Sequence, residues 1–257
     1  MDQRHQELIL DQFTRQATPF STSNAIASDD ALQLLIDWSG ASAKDTVLDV
    51  GCGGGLVVCA FANVVQHATG IDLTPAMLEH ARDLAAQKGL GNVSWQQGDV
   101  LPLPFADASF SLVTSRFAFH HFIDPLGVLK EMRRVCTPGG RVLVADTDAS
   151  ADPVKAAAFN RMEKLRDPSH TRALPSAELK DLFRQAGLSE PRMTAYELRD
   201  ELENLLKRSF PNPGDADKIR DLFAASLTDD QLGIPLHRDG EVIHYAYPVA
   251  VLVAERV

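Results

Sequence analysis

The residues best placed to do chemistry are an acidic side chain and a run of glycines. The apolar segment Val47–Val50 carries Asp49 and is followed directly by Gly51-Cys52-Gly53-Gly54-Gly55. Because glycine lacks a Cβ atom, its backbone can turn sharply and come close to a ligand. The pattern therefore predicts a nucleotide-type site at the carboxyl end of the first strand of an open α/β sheet.

The spacing of these glycines separates the nucleotide classes. A dinucleotide site needs Gly-x-Gly-x-x-Gly, in which the third glycine lets the helix pack closely on the strand. Counted from Gly51 the third position is Leu56, and counted from Gly53 it is Val58. Neither frame completes the motif. An NAD-dependent oxidoreductase is therefore disfavoured and is kept only as an alternative.

Two further acidic residues follow predicted strands. Asp72 follows Gly55 at close to the spacing of about 20 residues at which an acidic side chain binds ribose hydroxyls. Asp99 can accept a hydrogen bond from an adenine amine, while Val100 supplies apolar contact to the ring. The alternatives are an Asp that ends a strand and an Asp that caps a turn. We favour the nucleoside roles because the glycine run precedes them.

The order of the motifs resembles that of class I S-adenosylmethionine (SAM)-dependent methyltransferases, in particular their UbiE-like, or methyltransferase type 11, branch. The resemblance covers residues 40–146. Its five segments are Val47–Leu56, Gly70–Asp72, Gly98–Asp99 with Leu103–Phe105, Phe119–Pro125 and Arg134–Gly140. The run Gln12–Ala17 resembles a lid segment of this branch less specifically. The chain departs at Ser111, where the family commonly has Asp.

The resemblance implies SAM as the cofactor, S-adenosylhomocysteine (SAH) as the product and no metal. Methyl transfer from SAM is an in-line displacement, in which the protein aligns the acceptor, excludes water and, where necessary, removes a proton. The residues expected to contact the cofactor are Asp49, Gly51, Cys52, Gly53, Gly55, Asp72, Leu73, Gly98, Asp99, Val100, Arg116 and Phe13.

Two histidines after the fourth predicted strand are the candidate general bases. His120 and His121 lie near the expected transfer point, and histidine suits proton removal near neutral pH. The alternative is that one of them packs in the core and the other caps a helix. Asp146 and Asp148, at the end of the fifth strand, either orient the acceptor or bind water or cap a helix.

The region after residue 149 contains further polar residues without a recognisable motif. Arg166 and the run His170–Arg172 offer groups that bind anions, but we favour exposure to solvent, because isolated charged residues are normally exposed. Phe159 and Met162 have helical spacing and are expected in the core. The cysteines form no C-x-x-C pair, so core positions are expected for Cys52, Cys59 and Cys136.

Composition favours a cytoplasmic protein that acts on a small molecule. The formal net charge of −10 repels polyanions, and no dense basic cluster is present, so nucleic-acid substrates are disfavoured. No apolar stretch approaches the roughly 20 residues that span a bilayer, so no membrane partner is expected. The polar start Met1–Glu7 is unlike a secretory signal. Homodimerisation is left open.

Strands and helices alternate from residue 46 to residue 146, which predicts a parallel sheet. The predicted strands are Thr46–Val50, Ala68–Asp72, Val93–Gln97, Phe110–Thr114, Arg141–Asp146 and Val242–Val253. The predicted helices are an N-terminal one broken at Pro19, then Asp29–Trp38, a helix from the glycine run to Gln66, Thr74–Lys88, Val154–Leu165, Ser176–Ala186 and most of residues 198–232, with a break at 211–214.

These elements predict an α/β fold with a Rossmann-like, doubly wound, seven-stranded, mostly parallel sheet, a helical N-terminal lid and an inserted helical substrate cap. Residues 1–40 are the expected lid, 41–148 the SAM-binding half, and 149–257 the substrate-side helices and final strands of a single domain. The predicted function is methyl transfer to a small organic acceptor of aromatic, quinone-like or polyketide-like type. A SAM-binding protein that catalyses another reaction is the alternative.

Overall fold

A mostly parallel sheet lies at the centre of the computed structural model, which describes residues 3–21 and 26–257. The strands are β1 (Thr46–Val50), β2 (His67–Asp72), β3 (Val93–Gln97), β4 (Phe110–Arg116), β5 (Cys136–Thr147), β6 (Arg192–Glu201), β7 (Leu236–Asp239) and β8 (Val242–Glu255). The helices are α1 (Gln3–Ser21), α2 (Asp29–Ser39), α3 (Leu56–Ala62), α4 (Pro75–Gln87), α5 (Pro125–Val135), α6 (Pro153–Arg166), α7 (Ser176–Gln185), α8 (Leu202–Ser209) and α9 (Asp215–Asp229), with a 3-10 helix at Phe119–His121.

The strands are ordered β3-β2-β1-β4-β5-β8-β6, and β7 pairs only with β8. The pairs from β3 to β5 are parallel, and β8 runs antiparallel to β5, β6 and β7. The chain reverses direction in the sheet order at β1, because β2 lies on one side of it and β4 on the other. In parallel α/β sheets this position, at the carboxyl ends of the strands, is where ligands bind.

Alternation along the central strands divides the apolar residues between two cores. In β5, Val142 and Val144 join the core packed with α5 and α7, whereas Leu143 and Ala145 join the core packed with α3 and α6. Both faces of the sheet are covered, so the central strands are continuous apolar runs. Burial on both faces explains why these strands consist almost entirely of apolar residues. The predicted Rossmann-like sheet is confirmed.

The expected helix over residues 198–232 is wrong at its start. β6 occupies Arg192–Glu201 and pairs with β8 along its whole length, and α8 begins only at Leu202. Leu198 is the one fully buried residue of this strand. Edge strands commonly carry charged side chains, so the apolar alternation that identifies a strand is missing here. The predicted break at 211–214 does separate α8 from α9.

Four smaller expectations also differ from the structure. α1 continues past Pro19 to Ser21, and α3 ends at Ala62 rather than Gln66. Asn63 donates a side-chain hydrogen bond to the Cys59 carbonyl and ends that helix. The short strand β7 raises the strand count to eight, and β5 already begins within the predicted turn before residue 141, where its pairing with β4 shifts register. Within the described residues, no helix is long and apolar enough to cross a bilayer.

Gly55 provides a test of the packing of the first helix on the sheet. Its φ is +81°, and a Cβ there would lie 2.7 Å from Trp95 and 2.8 Å from Ala81. We predict that Gly55→Ala lowers the free energy of unfolding by about 2–5 kcal/mol, through left-handed strain and overpacking. Gly91→Ala is the control, because nothing lies within 4 Å of that position. Urea unfolding of both variants checks this, and equal effects would contradict it.

Candidate functional site

The glycine loop between β1 and α3 forms the floor of a cleft. Gly51 and Gly53 have φ values of +72° and +49°, a backbone conformation that L side chains rarely adopt. The Gly51 N–H donates to the Ile71 carbonyl at 2.9 Å, and the Gly53 N–H donates to the Asp72 carboxylate at 2.8 Å. The loop is therefore tied to the end of the neighbouring strand β2.

The cleft has a volume of about 880 Å³, part of it open to solvent, which is in the range of small-molecule sites. Most of the predicted cofactor residues line it, namely Phe13, Asp49, Gly51, Cys52, Gly53, Asp72, Leu73, Asp99, Val100 and Arg116. Gly55 and Gly98 do not. Gly55 instead packs behind the loop against α4, and Gly98 faces Ile71 and Pro104.

Three carboxyl groups lie along the cleft in different surroundings. Asp49 is only 2% exposed, and burial raises its pKa to about 7 although Thr114 donates a hydrogen bond to it. Burial also raises the pKa of Asp72, against the opposing backbone hydrogen bonds from Thr74 and Gly53. Asp99 accepts a hydrogen bond from Gln6 of α1 at 2.8 Å. The cleft is thus acidic on its β2–β3 side.

Arg116, at the end of β4, supplies the opposite charge. Its Nε donates to the Tyr196 hydroxyl at 3.1 Å and its Nη1 to the Ile26 carbonyl at 3.0 Å. Nη2 is buried and has no hydrogen-bond partner among the residues that the structure describes. A buried, unpaired guanidinium N–H is costly unless a ligand accepts from it. Since Arg116 lines the cleft, this atom suits an anionic ligand group such as a carboxylate.

The cleft as a whole fits the chemistry of SAM. The acidic side offers acceptors to ribose hydroxyls and an adenine amine, and Arg116 offers a donor to an amino-acid carboxylate. Val100 and Met77 contribute apolar surface for a ring. Several other residues that line the cleft are not predicted from the sequence, among them Ile9, Ile26, Met77, Phe117 and Phe122.

A second cavity adjoins the cleft and has a volume of about 660 Å³. Four residues line both spaces: Phe13, Ile26, Phe117 and His121. The other walls come from α6, α8, β8 and the loop between α6 and α7. Their aromatic members are Phe159, Tyr245 and Tyr247, and their charged members are Glu163, Arg166, Asp167 and Arg208. A ligand in the second cavity would therefore lie next to a ligand in the cleft.

His120 lines this second cavity and is paired with Asp146. Its Nδ1 lies 2.5 Å from one carboxylate oxygen, and its backbone N–H donates to the other at 3.2 Å. Burial lowers the pKa of His120, but the Asp146 charge and hydrogen bond outweigh burial, and the pKa is raised above its ordinary value. The pair can accept a proton at the second ring nitrogen, Nε2. Asp148, by contrast, accepts from the Ser176 N–H at the start of α7.

The expected exposure of the polar run after residue 165 is wrong for two of its members. Arg166 is only partly exposed, with 13% of its side chain accessible, and is ion-paired with Glu163 at 2.7 Å, while His170 is 1% exposed. Arg172 is exposed and pairs with Glu178, as expected of a surface charge. Burial is possible because α6 and the following loop fold over the second cavity. Sequence alone gives no signal of this, since the residues follow no periodic pattern.

The core expectations for other residues agree with the structure. All three cysteines are buried, and burial raises the pKa of each thiol above its ordinary value. Phe159 and Met162 are also buried, although Phe159 additionally contributes to the wall of the second cavity. Ser111, the departure from the family pattern, donates a hydrogen bond to Asp45 at 2.7 Å.

Comparison with known proteins gives consistent matches. Residues 48–144 match a family described as a methyltransferase domain. An uncharacterized methyltransferase of Bacillus subtilis, YcgJ, is 34% identical over 236 residues, which cover 91% of this chain and 93% of YcgJ. The crystal structure of YcgJ matches with a TM-score of 0.80 over 89% of this chain and 99% of that chain, at 32% identity.

A second relative has a named substrate pathway. The ubiquinone/menaquinone biosynthesis C-methyltransferase UbiE of Bdellovibrio bacteriovorus is 34% identical over 160 residues. The match covers 60% of this chain and 68% of that protein. The similarity to a methyltransferase therefore extends beyond the glycine loop, and with YcgJ it covers nearly the whole chain.

The environments of the histidines predict distinct titration behaviour. His120 should titrate above its ordinary value of 6.5, and His121, whose pKa burial and His120 lower to about 3, should stay neutral near pH 7. Asp146→Asn removes the charge that stabilises the imidazolium, so the pKa of His120 should fall. Glu163 and Arg166 also face His120, with opposing effects.

Histidine ring signals followed by NMR across pH check this, with His120→Gln used to assign the signal. A His120 pKa that stays unchanged in Asp146→Asn would show that the pair does not control the basicity of the ring.

Proposed function

The chain belongs to the methyltransferase-domain family, and from this premise we propose that it transfers the methyl group of SAM to a small organic acceptor in the second cavity. The observation that carries the proposal is the wall of four residues shared by the two spaces. Displacement needs the nucleophile and the methyl group in contact and in line. Two adjoining cavities, one fitted to SAM, meet this requirement.

We propose cofactor roles for the residues of the cleft. Asp72 accepts from the ribose hydroxyls and Asp99 from the adenine amine, while Arg116 donates to the carboxylate of the amino-acid part. The support is the position of all three side chains on the cleft and the unpaired Nη2 of Arg116. Gly51 and Gly53 let the backbone approach the ligand.

The proposed acceptor is a compact molecule with an apolar ring. Five aromatic side chains line the second cavity: Phe13, Phe117, Phe159, Tyr245 and Tyr247. Such walls favour flat apolar ligands, and a few polar groups then fix their orientation. Similarity to UbiE, whose name assigns it to quinone biosynthesis, supports a quinone-like or related ring. The net charge of −10 disfavours nucleic acid as the acceptor.

The proposed mechanism requires little covalent chemistry of the protein. When bound, SAM supplies a methyl group that its sulfonium already activates. His120, held by Asp146, removes a proton from the acceptor at Nε2, which generates an oxygen or carbon nucleophile. His121 lies between the two spaces and contributes a neutral wall. α1 covers the site and excludes water through Phe13 and its neighbours.

A SAM-binding protein that catalyses another reaction would have the same cleft. The two functions differ in their products, because only methyl transfer converts SAM into SAH. A proton acceptor beside the cofactor site favours methyl transfer to an acidic oxygen or carbon. Detection of SAH during turnover therefore separates the alternatives.

Arg116 gives a test of the cofactor site that needs no acceptor. We expect wild-type protein to bind SAH more tightly than methylthioadenosine, which lacks the carboxylate. Arg116→Gln should weaken the binding of SAH by about 10- to 100-fold, which is the effect of losing a charged hydrogen bond. The affinity for methylthioadenosine should stay nearly unchanged. Asp72→Ala should weaken both ligands. Calorimetry measures all three proteins, and Arg199→Gln, an exposed arginine of β6, is the control.

Either of two results would count against the cofactor assignment. One is no saturable SAH binding by folded wild-type protein. The other is that Arg116→Gln weakens the binding of SAH and of methylthioadenosine equally, which would mean that Arg116 only supports the fold.

His120 gives a test of the chemistry once a screen of ring-containing acceptors yields SAH. His120→Gln should lower kcat/KM by about 100- to 10,000-fold, the contribution of general-base catalysis. Asp146→Asn should move the acidic limb of the pH profile to lower pH, because it lowers the pKa of His120. His237→Gln, an exposed histidine of β7, is the control. A screen in which only proteins or nucleic acids accept methyl would refute the small-molecule proposal.

A further inference from the structure

Three histidines from two separate segments of the chain meet at the second cavity. His120 and His121 belong to the 3-10 helix, and His170 belongs to the loop after α6. The ring centroid of His120 lies 4.3 Å from that of His121 and 5.4 Å from that of His170. All three line the cavity, and each is at most 9% exposed. The proposed mechanism uses His120 and leaves His170 without a role.

The hydrogen bonds of His170 define its protonation. Its Nε2 lies 2.8 Å from the Asn160 Oδ1. That oxygen also accepts from the Ala173 N–H, while the Asn160 amide nitrogen donates to two carbonyls, so the orientation of the amide is fixed. Nε2 must therefore carry the proton that it donates. Nδ1 is then an unprotonated acceptor, and it has no hydrogen-bond partner among the described residues.

The surroundings keep His170 neutral. Burial lowers its pKa, and the positive charges that His120, His121, Arg166 and Lys164 carry when protonated lower it further. Asp167, on the same loop, directs its carboxylate to the Ser169 backbone N–H and hydroxyl. The ring therefore has no charge with which to bind an anion, and its free nitrogen can only accept a hydrogen bond.

The loop that carries His170 is held rigidly against the 3-10 helix. The carbonyl of His120 accepts from the Thr171 N–H at 2.8 Å and from its hydroxyl at 2.7 Å. The Ser169 carbonyl accepts from His121 Nδ1 at 3.1 Å. These contacts fix the position of the His170 nitrogen relative to the proposed base. His170 lines the second cavity with this nitrogen buried and unpaired, so a ligand that brings a donor to it satisfies an acceptor that is otherwise costly to bury.

We infer that His170 is a specificity-determining residue that accepts a hydrogen bond, through Nδ1, from a hydroxyl of the methyl acceptor. The group that His120 deprotonates is a second hydroxyl of the same ring, so the acceptor class is a ring with at least two hydroxyl groups. The inference rests on the proposed function only in placing the acceptor in the second cavity. The aromatic walls account for the ring, and the two histidines account for the two donors.

Simple phenols test the inference by binding rather than turnover. Phenol, catechol, resorcinol and hydroquinone are titrated into SAH-saturated protein and followed by NMR. The three diols have the same composition and differ only in the spacing of their hydroxyls. We expect at least one diol to bind wild-type protein about tenfold more tightly than phenol, the usual effect of one buried hydrogen bond.

Two variants of His170 separate the acceptor from the structural role. His170→Gln places an amide donor near the former Nε2 and can keep the bond to Asn160, but it has no acceptor near Nδ1. His170→Asn places its amide near Nδ1 and loses the reach to Asn160. The diol preference should vanish in His170→Gln and persist in His170→Asn. Phenol should bind both variants as it binds wild type, and thermal unfolding reports the structural bond separately.

Three outcomes would overturn the inference. The first is that wild-type protein shows no preference for a diol over phenol, or binds none of the four probes. The second is that the diol preference survives in His170→Gln. The third is that both variants lose the diol preference equally. Failure of the proposed function would give a different result from failure of this inference. No acceptor would then yield SAH, but wild-type protein would still prefer a diol and His170→Gln would still lose that preference.

Discussion

The parallel pairing of β1 with β2 and β4 is the constraint on which the cleft depends. The register places Asp49 beside Gly70 on one side and Thr114 on the other. A Cβ at Gly70 would lie 2.6 Å from Cys52 Sγ, so the glycine loop can close over β2 only where β2 lacks a side chain. Asp49 is buried by the same packing, and a buried carboxylate is costly unless it is hydrogen-bonded or protonated. Its pKa of about 7 reflects that cost.

The second cavity obtains its polarity from buried pairs rather than from free charges. Arg166 is paired with Glu163, which also accepts from the Tyr247 hydroxyl at 2.7 Å. Arg208 is paired with Asp200 and donates to Tyr245 at 2.7 Å. Buried ion pairs contribute little net stability, because desolvation offsets their attraction. Here they fix the orientation of Tyr245 and Tyr247, whose hydroxyls they bond.

The sequence predicted the residues that line the cleft far better than those that line the second cavity, for a physical reason. The positions of Asp49, Asp72 and Asp99 follow from strand ends, which a sheet brings together whatever the rest of the chain does. His170 and Arg208 reach the second cavity only through the packing of α6 and α8, and no local pattern records that packing. The sequence does not reveal the edge strand β6 for a related reason. Most of its side chains are exposed to solvent rather than packed in a core, so they show no apolar alternation.

α1 connects the two halves, because it closes both spaces with one helix. Gln6 donates to Asp99 beside the cleft, while Gln12 and Gln16 donate to the Ser209 carbonyl at the far wall of the second cavity. Each such bond contributes roughly 0.5–1.5 kcal/mol, which is small beside the burial that holds the sheet. Displacing α1 would thus uncover the cleft and the cavity together, while the glycine loop keeps its own bonds to β2 and His120 its bond to Asp146. On the proposed function, the two ligands of the transfer reaction would enter and leave through this one local opening.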